Sequence, residues 1–478
     1  MKDTTNNERN QTMTNASTRR EFCKTTAAGV AGIIAAGAAP SLYAAGANDR
    51  VRVACVGYSD RFRQSLLPCF MHHKDALNFD MVAVADLWKK RLAEDAVPGI
   101  EKAMGHKVAA YRSDVELYEK AKDVDAVIIS TADFQHAQHA THAVNAGKDA
   151  YCEKPMAEDM YSANMLLDAV NAKRKAGFAP GAVLQIGSQR RSGPAYHAAK
   201  AFLESGRFGK LTYVDLCWNV NQSRRWRRDE KLVASLRKED VDWNLWLLDR
   251  DPSEYPFDPR KYLEFRLFWP FSSGIPGQWM CHQIDTVGWF TGLRHPLSAV
   301  ASGGTYAWND GRYSFDTFTT ILEYGPSKLN DKGFQAVFSS RQTNAARGNV
   351  EKYYGPSGTI DLCKGRFTNE GVERAKQKVD EKLTDHYQAA ETAANTGGDK
   401  LTSAHMYNWM KCVRDRKDPN ASVDAGYGHA VALIMSNAAS RTGMKATFDP
   451  EARQVIVNGR EFTGYKSTHD GFFGRLFS

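Results

Sequence analysis

The chain has 478 residues and lacks the features that mark several classes of protein. None of its eight cysteines forms a Cys-x-x-Cys pair, so we expect neither a disulfide framework nor a metal site. No apolar run is long and apolar enough for a comfortable membrane span. The formal charge of +8 is scattered along the chain, apart from a short cluster at Arg224, Arg225, Arg227 and Arg228, and this argues against nucleic acid as a partner. The remaining composition is that of a globular protein long enough for two domains.

The first 47 residues are predicted to be an export leader outside the fold. Thr18-Arg19-Arg20-Glu21-Phe22-Cys23-Lys24 precedes a weakly apolar run rich in Ala and Gly at 25–39, as in a twin-arginine signal. Small residues at 44–47 offer cleavage points. We therefore expect a periplasmic or otherwise exported protein, with the twin-arginine machinery as a partner and no stable membrane insertion after processing. An uncleaved anchor or tail is the alternative.

The export route constrains any cofactor that the protein uses. Twin-arginine export carries proteins that are already folded, so a cofactor made in the cytoplasm would travel tightly bound. Such a cofactor is not replaced after each turnover. Either one substrate must restore what another has consumed, or the net reaction must be redox-neutral.

The first strand of a nucleotide-binding unit is predicted at 51–57, a β-rich run that ends in Gly57. A helix follows from about Arg61. The full Gly-x-Gly-x-x-Gly fingerprint has two further glycines, but Ser59 and Phe62 stand at those positions. The hydroxyl of Ser59 and the charge of Arg61 can partly compensate beside a helix N-terminus. We therefore assign Gly57, Ser59 and Arg61 to dinucleotide binding.

An acidic residue follows the second predicted strand, at 79–85. Asp86 stands 29 residues beyond Gly57, where a carboxylate can accept hydrogen bonds from the adenosine ribose hydroxyls. The usual spacing is about 20 residues, and the polar loop at 72–78 accounts for the extra length. Asp86 favours NAD, whereas the basic residues 89–91 could hold a ribose phosphate, so NADP stays open.

The alternation of strands and helices continues with a strand at 125–131 and a helix at 139–146. In open α/β sheets the carboxyl ends of the strands face the ligand crevice. Thr131 and His136 follow this strand. They are further candidates for cofactor binding.

The next short strand, at 148–152, leads directly into Glu153, Lys154 and Pro155. A Lys-Pro bond at this edge of the sheet fixes the chain direction and can be cis, which would direct Lys154 into the crevice. We assign Glu153 to cofactor binding. An exposed Lys-Pro turn would be the simpler interpretation of an isolated pair, but the strand before it favours a site.

The segment Ala146-Gly147-Lys148, followed by Tyr151-Cys152-Glu153-Lys154-Pro155, is quite specific. Through it the chain resembles the glucose–fructose oxidoreductase, inositol dehydrogenase and MocA family (Gfo/Idh/MocA). The resemblance covers nearly the whole mature chain. It continues through 186–191, 206–210, 241–243 and 274–285.

The resemblance implies an α/β fold of two domains. One is an N-terminal Rossmann domain with a parallel sheet, here at 48–175, which binds NAD(P). The other is a C-terminal α/β domain with a large, mostly antiparallel sheet, here at 176–478, which binds substrate and forms oligomers. A homodimer or homotetramer is therefore expected.

The resemblance also implies two catalytic residues, Lys154 and His282. The lysine of Glu-Lys-Pro would hydrogen-bond the reacting hydroxyl, and the histidine would take its proton. The family pattern has an aspartate four residues before the histidine, where this chain has Gln278. An amide can orient a sugar hydroxyl but supplies no charge, so either the substrate differs or another carboxylate substitutes. Asp285 lies three residues after His282, on roughly the same helical face, although the family gives it a structural role.

Further residues are expected to contact the substrate. Aromatic side chains are abundant in the second half, where most belong to the core or to interfaces and a few can stack on a sugar. The charged, Ala-rich segment 369–399 is interpreted as a solvated helix and a loop, and His429 as structural. The candidates for substrate contacts are Arg190, Arg191, Trp226, Gln278, Tyr306 and Arg312.

Three functions remain open on the sequence. The first is hydride transfer between a bound nicotinamide and a sugar or sugar-derived substrate, with Lys154 and His282 at the reacting hydroxyl. The second is NAD-dependent glycoside hydrolysis through transient oxidation, elimination and return of the hydride. The third is a non-catalytic nucleotide- or sugar-binding protein, which the depleted glycine pattern and Gln278 support and which Glu153-Lys154-Pro155 argues against.

Overall fold

A computed structural model describes residues 50–177, 181–383 and 399–465. The predicted leader and residues 384–398 of the segment 369–399 lie outside these residues. The described part of that segment, 369–383, is not the expected helix: it forms turns and the short strand Asp380–Lys382, which pairs with Arg366–Thr368. The described chain is an α/β protein with two sheets, one of six strands and one of eleven. The predicted fold class is therefore confirmed.

The first sheet is parallel throughout, and its strands lie in the order β3-β2-β1-β4-β5-β6. Short buried apolar strings build its centre, as expected for strands covered on both faces. The short edge strand β3 was not predicted. The strands are β1 Val51–Val56, β2 Phe79–Ala85, β3 Ala109–Tyr111, β4 Ala126–Ile129, β5 Asp149–Cys152 and β6 Leu184–Ile186.

Helices cover both faces of this sheet. A π-helical turn, Phe62–Leu66, leads into the helix Leu67–Leu77, and a second such turn, Leu92–Ala96, joins Lys89–Arg91 to Val97–Met104. The remaining helices are Asp114–Lys120, the 3₁₀ turn Asp133–Gln135, His136–Asn145 and Met160–Lys175.

The second sheet is mixed but mostly antiparallel, with one parallel pair between β7 and β10. Its strands lie in the order β14-β13-β12-β11-β7-β10-β9-β8-β15-β16-β17. They are β7 Tyr213–Trp218, β8 Ser298–Gly304, β9 Thr317–Tyr324, β10 Phe334–Arg341, β11 Asn349–Gly355, β12 Gly358–Asp361, β13 Arg366–Thr368, β14 Asp380–Lys382, β15 Ala446–Asp449, β16 Gln454–Val457 and β17 Arg460–Glu461.

The remaining helices and 3₁₀ turns follow β6 in the chain. Within the described part of the chain, no helix has the length and apolar character to span a bilayer. The elements are the 3₁₀ turns Gln189–Ser192, Lys238–Asp240 and Phe265–Leu267, and the helices Pro194–Glu204, Glu230–Ser235, Trp243–Leu247, Pro259–Leu263, Cys281–Thr291 with the π-helical turn Pro276–Met280 before it, Lys400–Asp415 and Val423–Thr442.

The helix Val423–Thr442 forms the centre of the core between the two sheets. The helix itself consists mostly of small and apolar residues, and most of them are buried. Gly426 permits close packing there, since a Cβ at this position would lie 2.7 Å from both Ile186 and Met156. The helix thereby connects β6 of the first sheet with the second half of the chain.

The helix Lys400–Asp415 returns to the first sheet and completes its core. Trp409 is fully buried, with its ring centroid 6.2 Å from that of Phe79 and 6.0 Å from that of Tyr151. The first sheet also extends to β6 at 184–186, beyond the boundary predicted at 175. The boundary lies later than predicted because β5 pairs with β6 across the helix Met160–Lys175, and a sequence pattern does not show such pairing.

Trp409→Ala should reduce the free energy of unfolding by about 3–5 kcal/mol, because it leaves a large cavity between this helix and the first sheet. Tyr407→Ala is the matched control, since Tyr407 is 44% exposed on the same helix, and it should cost under about 1 kcal/mol. Urea unfolding measures both. Equal losses would show that the helix does not contribute to the core of the sheet.

Candidate active site

A cleft of about 1500 Å³ lies at the carboxyl ends of the first-sheet strands. One wall comes from the first sheet and includes Gly57, Asp86 and Lys154. The other wall comes from the second half of the chain and includes Trp279 and His282. The cleft therefore brings both predicted catalytic residues together with the predicted cofactor residues.

The turn after β1 has a backbone conformation that glycine adopts readily and other residues rarely do. Gly57 has φ +84° and packs against Thr131, so that a Cβ would lie 2.7 Å from the Thr131 side chain. The Ser59 hydroxyl accepts a hydrogen bond from the Phe62 amide at 3.2 Å and donates to Ser130 at 3.0 Å. Ser59 therefore caps the first helix, and its contribution to a phosphate site is to hold the turn rather than to donate its hydroxyl.

Asp86 lies at the end of β2, as predicted, but its carboxylate is fully engaged. It accepts hydrogen bonds from the amides of Tyr58 and Trp88, both at 2.9 Å, and two from the Arg91 guanidinium, both at 3.0 Å. These contacts occupy the roughly four acceptor positions of a carboxylate. Arg91 would have to release Asp86 before ribose hydroxyls could bind, so Arg91 is a competitor of the ribose rather than an unpaired phosphate ligand.

Arg61 and Glu153 form a buried ion pair that lines the cleft, with 2.9 Å between Nε and Oε1. Burial raises the pKa of Glu153, but the charge and hydrogen bond of Arg61, together with the charges of Lys154 and His136, outweigh it, so the pKa lies below its usual value. Arg61 also donates to Thr402 at 3.2 Å. Both predicted cofactor residues are thus at the cleft, where they hold the strand end in place and neutralise each other.

His136 offers an unused acceptor at the same place. Its Nδ1 lies 2.8 Å from the Pro155 carbonyl and must donate to it, while Nε2 is buried and finds no hydrogen-bond partner among the described residues. Burial lowers the pKa of His136, so the ring is neutral and Nε2 can accept. Thr131, also at the cleft, has its hydroxyl 3.0 Å from His139 Nδ1. An orphaned acceptor beside a glycine turn fits a ligand rich in hydroxyl and amide groups, such as a nicotinamide dinucleotide.

Lys154 extends into the cleft from the Lys154–Pro155 bond, which is cis. Its Nζ donates to the main-chain oxygen of Gln278 at 3.0 Å and to the side-chain oxygen at 3.5 Å. An ammonium group has three donors, so one remains for a ligand. Asp133, which is fully buried behind Gln278, accepts a hydrogen bond from Gln278 Nε2 at 2.5 Å.

Asp133 gives a physical reason for the amide at position 278. Its carboxylate is also held by the Ser272 hydroxyl at 2.7 Å and by Arg266 at 3.2 Å. An aspartate or glutamate at 278 would set a second buried carboxylate against the first, and like charges at this range are strongly unfavourable. The amide instead donates to Asp133 and turns its oxygen towards Lys154. Asp133 is therefore the carboxylate that accompanies Gln278, although it does not itself line the cleft.

His282 is buried in the opposite wall and is predisposed to be neutral. Burial is the main cause that lowers its pKa well below the usual value, and the positive charges of Lys154 and Arg190 lower it further. Neither ring nitrogen has a hydrogen-bond partner among the residues that the structure describes. A neutral imidazole beside a lysine ammonium can accept a proton from a hydroxyl that the ammonium binds.

Three indole rings form the apolar wall around His282. Trp218 stacks on Trp279 with the centroids 6.2 Å apart, and lies 5.8 Å from the His282 ring. Trp226 packs on the other side of Trp279 at 5.7 Å. Trp226 has φ +67°, a conformation that costs about 1–3 kcal/mol and is typical of functional sites. Its position at the cleft agrees with its prediction as a substrate contact.

Two predicted substrate residues are committed to internal ion pairs. Arg190 lines the cleft but is buried, pairs with Glu351 and lies over the Trp218 ring at 5.4 Å. Arg191 pairs with Asp285 at 2.8 Å and does not line the cleft. Asp285 therefore does not face His282, and the structural role that the resemblance gave it agrees with this pairing.

The structure does not bring Tyr306 and Arg312 to the cleft. Tyr306 is 74% exposed elsewhere on the surface, and the Arg312 guanidinium is held by Asp310 at 2.6 Å and 2.8 Å. A local acidic partner two residues away could have indicated this for Arg312. His429 is a core residue, as interpreted, since its Nε2 accepts a hydrogen bond from the Met156 amide at 3.1 Å.

Several cleft residues escaped the sequence analysis. Trp218 and Trp279 were counted with the aromatics expected in the core or at interfaces. Asp133, which lies behind Gln278 and outside the cleft lining, was given no role. Arg225 and Arg266 received no site assignment, although both line the cleft. The adjacency of Asp133 to the end of β4 was the one available signal, because strand ends in such sheets carry site residues.

Residues 51–179 match the sequence profile of the Gfo/Idh/MocA oxidoreductase family, described as an NAD-binding Rossmann fold. The chain is 31% identical over 132 residues to inositol 2-dehydrogenase 2 of Saccharopolyspora erythraea, which covers 27% of this chain and 36% of that one. It is 30% identical over 163 residues to inositol 2-dehydrogenase of Salmonella typhimurium, covering 33% and 46%. The matched part thus spans less than half of these relatives. Over 51–179 the chain is therefore similar to the NAD-binding Rossmann domain of this family.

Solved structures resemble the chain over a greater length. Levoglucosan dehydrogenase in complex with NADH and levoglucosan has a TM-score of 0.59 at 15% identity, covering 84% of this chain and 99% of that one. Myo-inositol 2-dehydrogenase from Lactobacillus plantarum has a TM-score of 0.57 at 17% identity, covering 84% and 100%. The two-sheet fold is therefore shared with these structures over 84% of this chain.

Gln278→Glu should destabilise the protein by about 1–3 kcal/mol near neutral pH, because it replaces a donor to Asp133 with a second carboxylate. The loss should shrink as the pH falls, since one proton shared by the two carboxyl groups relieves the repulsion. Urea unfolding across a pH series measures this. Gln377→Glu, at an exposed glutamine, is the control. A loss independent of pH would contradict the proximity of the two groups.

His282 predicts a dependence of stability on pH. The folded imidazole resists protonation, whereas the unfolded one protonates near pH 6.5, so stability that is full above this pH is lost as the pH falls. The loss approaches about 1.4 kcal/mol per pH unit for one proton. His282→Gln should therefore lose less stability than the wild type between about pH 7 and pH 5.

The control for His282 is His106→Gln. The hydrogen bond to Asp80 raises the pKa of His106, so His106 contributes stability at low pH. Its removal should therefore not reduce the loss of stability that occurs as the pH falls. Chemical unfolding at several pH values measures both variants. The interpretation fails if His282→Gln and the wild type lose stability in parallel.

Proposed function

We propose that the protein is an exported, NAD-dependent oxidoreductase that acts on a hydroxyl group of a sugar or sugar-derived substrate. The observation that supports this most is the meeting of Lys154 and neutral His282 in one cleft, at the strand ends of an NAD-binding Rossmann domain. Inositol and levoglucosan dehydrogenases, which resemble the chain in part of their sequence or in fold, support a polyhydroxylated substrate.

Two side chains, Lys154 and His282, act on the reacting hydroxyl. The remaining donor of Lys154 hydrogen-bonds the reacting hydroxyl and stabilises negative charge on its oxygen. His282 accepts the proton of the same hydroxyl, and its lowered pKa keeps it unprotonated beforehand. When bound, NAD supplies the acceptor for the hydride that leaves the carbon. Trp218, Trp226 and Trp279 exclude water from this place, which strengthens the electrostatic contacts.

The residues that would hold the cofactor lie along the first-sheet wall. The turn at Gly57, capped by Ser59, presents the first helix N-terminus to the pyrophosphate. Asp86 would exchange the Arg91 guanidinium for ribose hydroxyls, and the Arg91 side chain would then be available to a neighbouring phosphate or ring. His136 Nε2 would accept from a hydroxyl or amide of the cofactor.

Export through the twin-arginine pathway belongs to the same proposal. The segment around Arg19 and Arg20 supports it, and a periplasmic enzyme of this kind would carry its cofactor from the cytoplasm. Turnover then requires a second substrate that returns the hydride, or a redox-neutral reaction such as glycoside cleavage. A homodimer or homotetramer through the large sheet is also proposed, with the exposed Leu297 and Val300 as candidates for the interface.

The experiment begins with the protein purified from the periplasm, whose co-purifying nucleotide is identified by mass spectrometry. A panel of sugars, inositols and glycosides is then added while nicotinamide fluorescence and released products are followed. Stable reduction supports a dehydrogenase or a sugar–sugar oxidoreductase, and glycoside cleavage with an oxidised cofactor supports the hydrolase. Failure to bind NAD, either from the cell or when added, would refute both enzymatic functions.

Lys154→Ala should lower kcat by about 10²–10⁴-fold, because the reacting oxygen loses its cationic donor. Bound NAD should be retained, since Lys154 contacts Gln278 rather than the glycine turn. Lys210→Ala removes the same charge at an exposed position and serves as the control. Steady-state kinetics and nucleotide content measure the effect, and full activity in Lys154→Ala would refute the site.

A further inference from the structure

Most arginines that line the cleft are neutralised by an acidic side chain. This pairing is expected, because a guanidinium removed from water needs a counter-charge. The pairs are Arg61 with Glu153, Arg91 with Asp86, Arg190 with Glu351, Arg227 with Glu264, Arg228 with Asp60 and Arg266 with Asp133.

Arg225 departs from this pattern. Within residues 50–177, 181–383 and 399–465 it has no acidic partner, and its one hydrogen bond to a side chain is to the neutral Gln222 at 2.8 Å. Its Nε is buried and has no hydrogen-bond partner. Burial, and then the charge of Arg266, lower the pKa of Arg225 to about 10. The fold therefore holds a cation where both desolvation and a like charge oppose it.

Arg266 presents a second unsatisfied donor beside Arg225. Its Nε is also buried without a partner, while its terminal nitrogen pairs with Asp133 at 3.2 Å. Asp133 thus neutralises Arg266 but not Arg225, and its oxygens also accept hydrogen bonds from Ser272 and Gln278. An anion between Arg225 and Arg266 would supply the missing charge and the missing acceptors.

The position of the two arginines relates this anion to the substrate rather than to the cofactor phosphates. The Arg225 guanidinium lies 5.6 Å from the Trp279 ring, and Trp279 adjoins Gln278 and stacks with Trp218 beside His282. Arg266 reaches Lys154 through Asp133 and Gln278. The arginines near the first helix N-terminus are instead Arg61, which pairs with Glu153, and Arg228, which pairs with Asp60.

We propose that Arg225 and Arg266 form a subsite for the carboxylate of an acidic sugar, so that the enzyme selects a hexuronate or a related sugar acid over a neutral sugar. This proposal rests on the proposed function for the reaction, but the subsite is defined by binding. A carboxylate matches the planar fork of a guanidinium better than a hydroxyl does. Lys154 and His282 then act on a hydroxyl of the molecule that the arginines hold.

The test compares matched sugars on the NAD⁺-loaded protein by isothermal titration calorimetry. D-glucuronate should bind at least tenfold more tightly than D-glucose, and D-galacturonate than D-galactose. Arg225→Gln should weaken hexuronate binding by about 10–100-fold, the value of a charge-assisted contact of about 1.5–3 kcal/mol, and the preference should collapse. Arg237→Gln is the control, because Arg237 is an exposed arginine that does not line the cleft, and it should retain the preference.

A second measurement guards against misfolding of the variant. Arg225→Gln removes an unfavourable buried charge, so its Tm should equal or exceed that of the wild type. Equal binding of the acidic and neutral sugars by the wild type would overturn the subsite. So would a response to D-glucose 6-phosphate without one to D-glucuronate, or an Arg225→Gln variant that loses affinity for NAD⁺ alone.

The two proposals fail in different ways. Arg225-dependent hexuronate binding without nicotinamide reduction by any sugar would support the subsite and refute the oxidoreductase. Nicotinamide reduction by neutral sugars, with no preference for hexuronates, would support the oxidoreductase and refute the subsite.

Discussion

The carboxylate of Asp133 is the interaction on which the candidate site depends. It follows β4 of the first sheet, is fully buried, and accepts hydrogen bonds from Ser272, Arg266 and Gln278 of the second half of the chain. A buried carboxylate without such donors would be costly, so these contacts bind the two halves together beside the cleft. The orientation of the Gln278 amide, and through it the environment of Lys154, follows from this requirement.

Electrostatic pairing organises the remainder of the cleft in the same way. Arg61 and Glu153, like Arg91 and Asp86, are cofactor-side residues that neutralise each other in the absence of a ligand. A ligand that displaces such a partner must replace its hydrogen bonds, which favours ligands with many hydroxyl and phosphate groups. The polar groups of the site therefore mostly bind one another. The exceptions include His136 Nε2 and Arg225 Nε, which have no hydrogen-bond partner in the described part of the chain.

The sequence was sufficient for much of the fold. Buried strings such as Val51–Val56 and Phe79–Ala85 form strands where they were expected, because a parallel sheet covered on both faces needs continuous apolar runs. The exposed strand Ala109–Tyr111 has no such run, and it was missed for that reason. The return of Trp409 to the first sheet was also missed, since the apolar periodicity of a helix does not identify the surface that it packs against.

The candidate site was predictable only in part. Lys154 and His282 could be assigned through the resemblance, and the structure places both at the cleft. Arg225 and Asp133 acquire their significance from neighbours more than 40 residues away in sequence, such as Arg266 and Gln278, and spacing alone does not reveal such contacts. Arg312 shows the opposite error. It was predicted to contact the substrate, but its guanidinium is bound by the aspartate two residues before it.

The packing of the helix Lys400–Asp415 on the first sheet has a consequence for how the protein is made. Phe79 and Trp409, which contact each other in one core, are synthesised some 330 residues apart. At about 5–20 residues per second, the ribosome needs tens of seconds to supply the helix after it has supplied the strand. The nucleotide-binding sheet therefore emerges with part of its apolar surface uncovered, and it reaches its final packing only after the helix Lys400–Asp415 has been synthesised. Late closure of this core gives chaperones and the cofactor a long interval in which to reach the nascent domain.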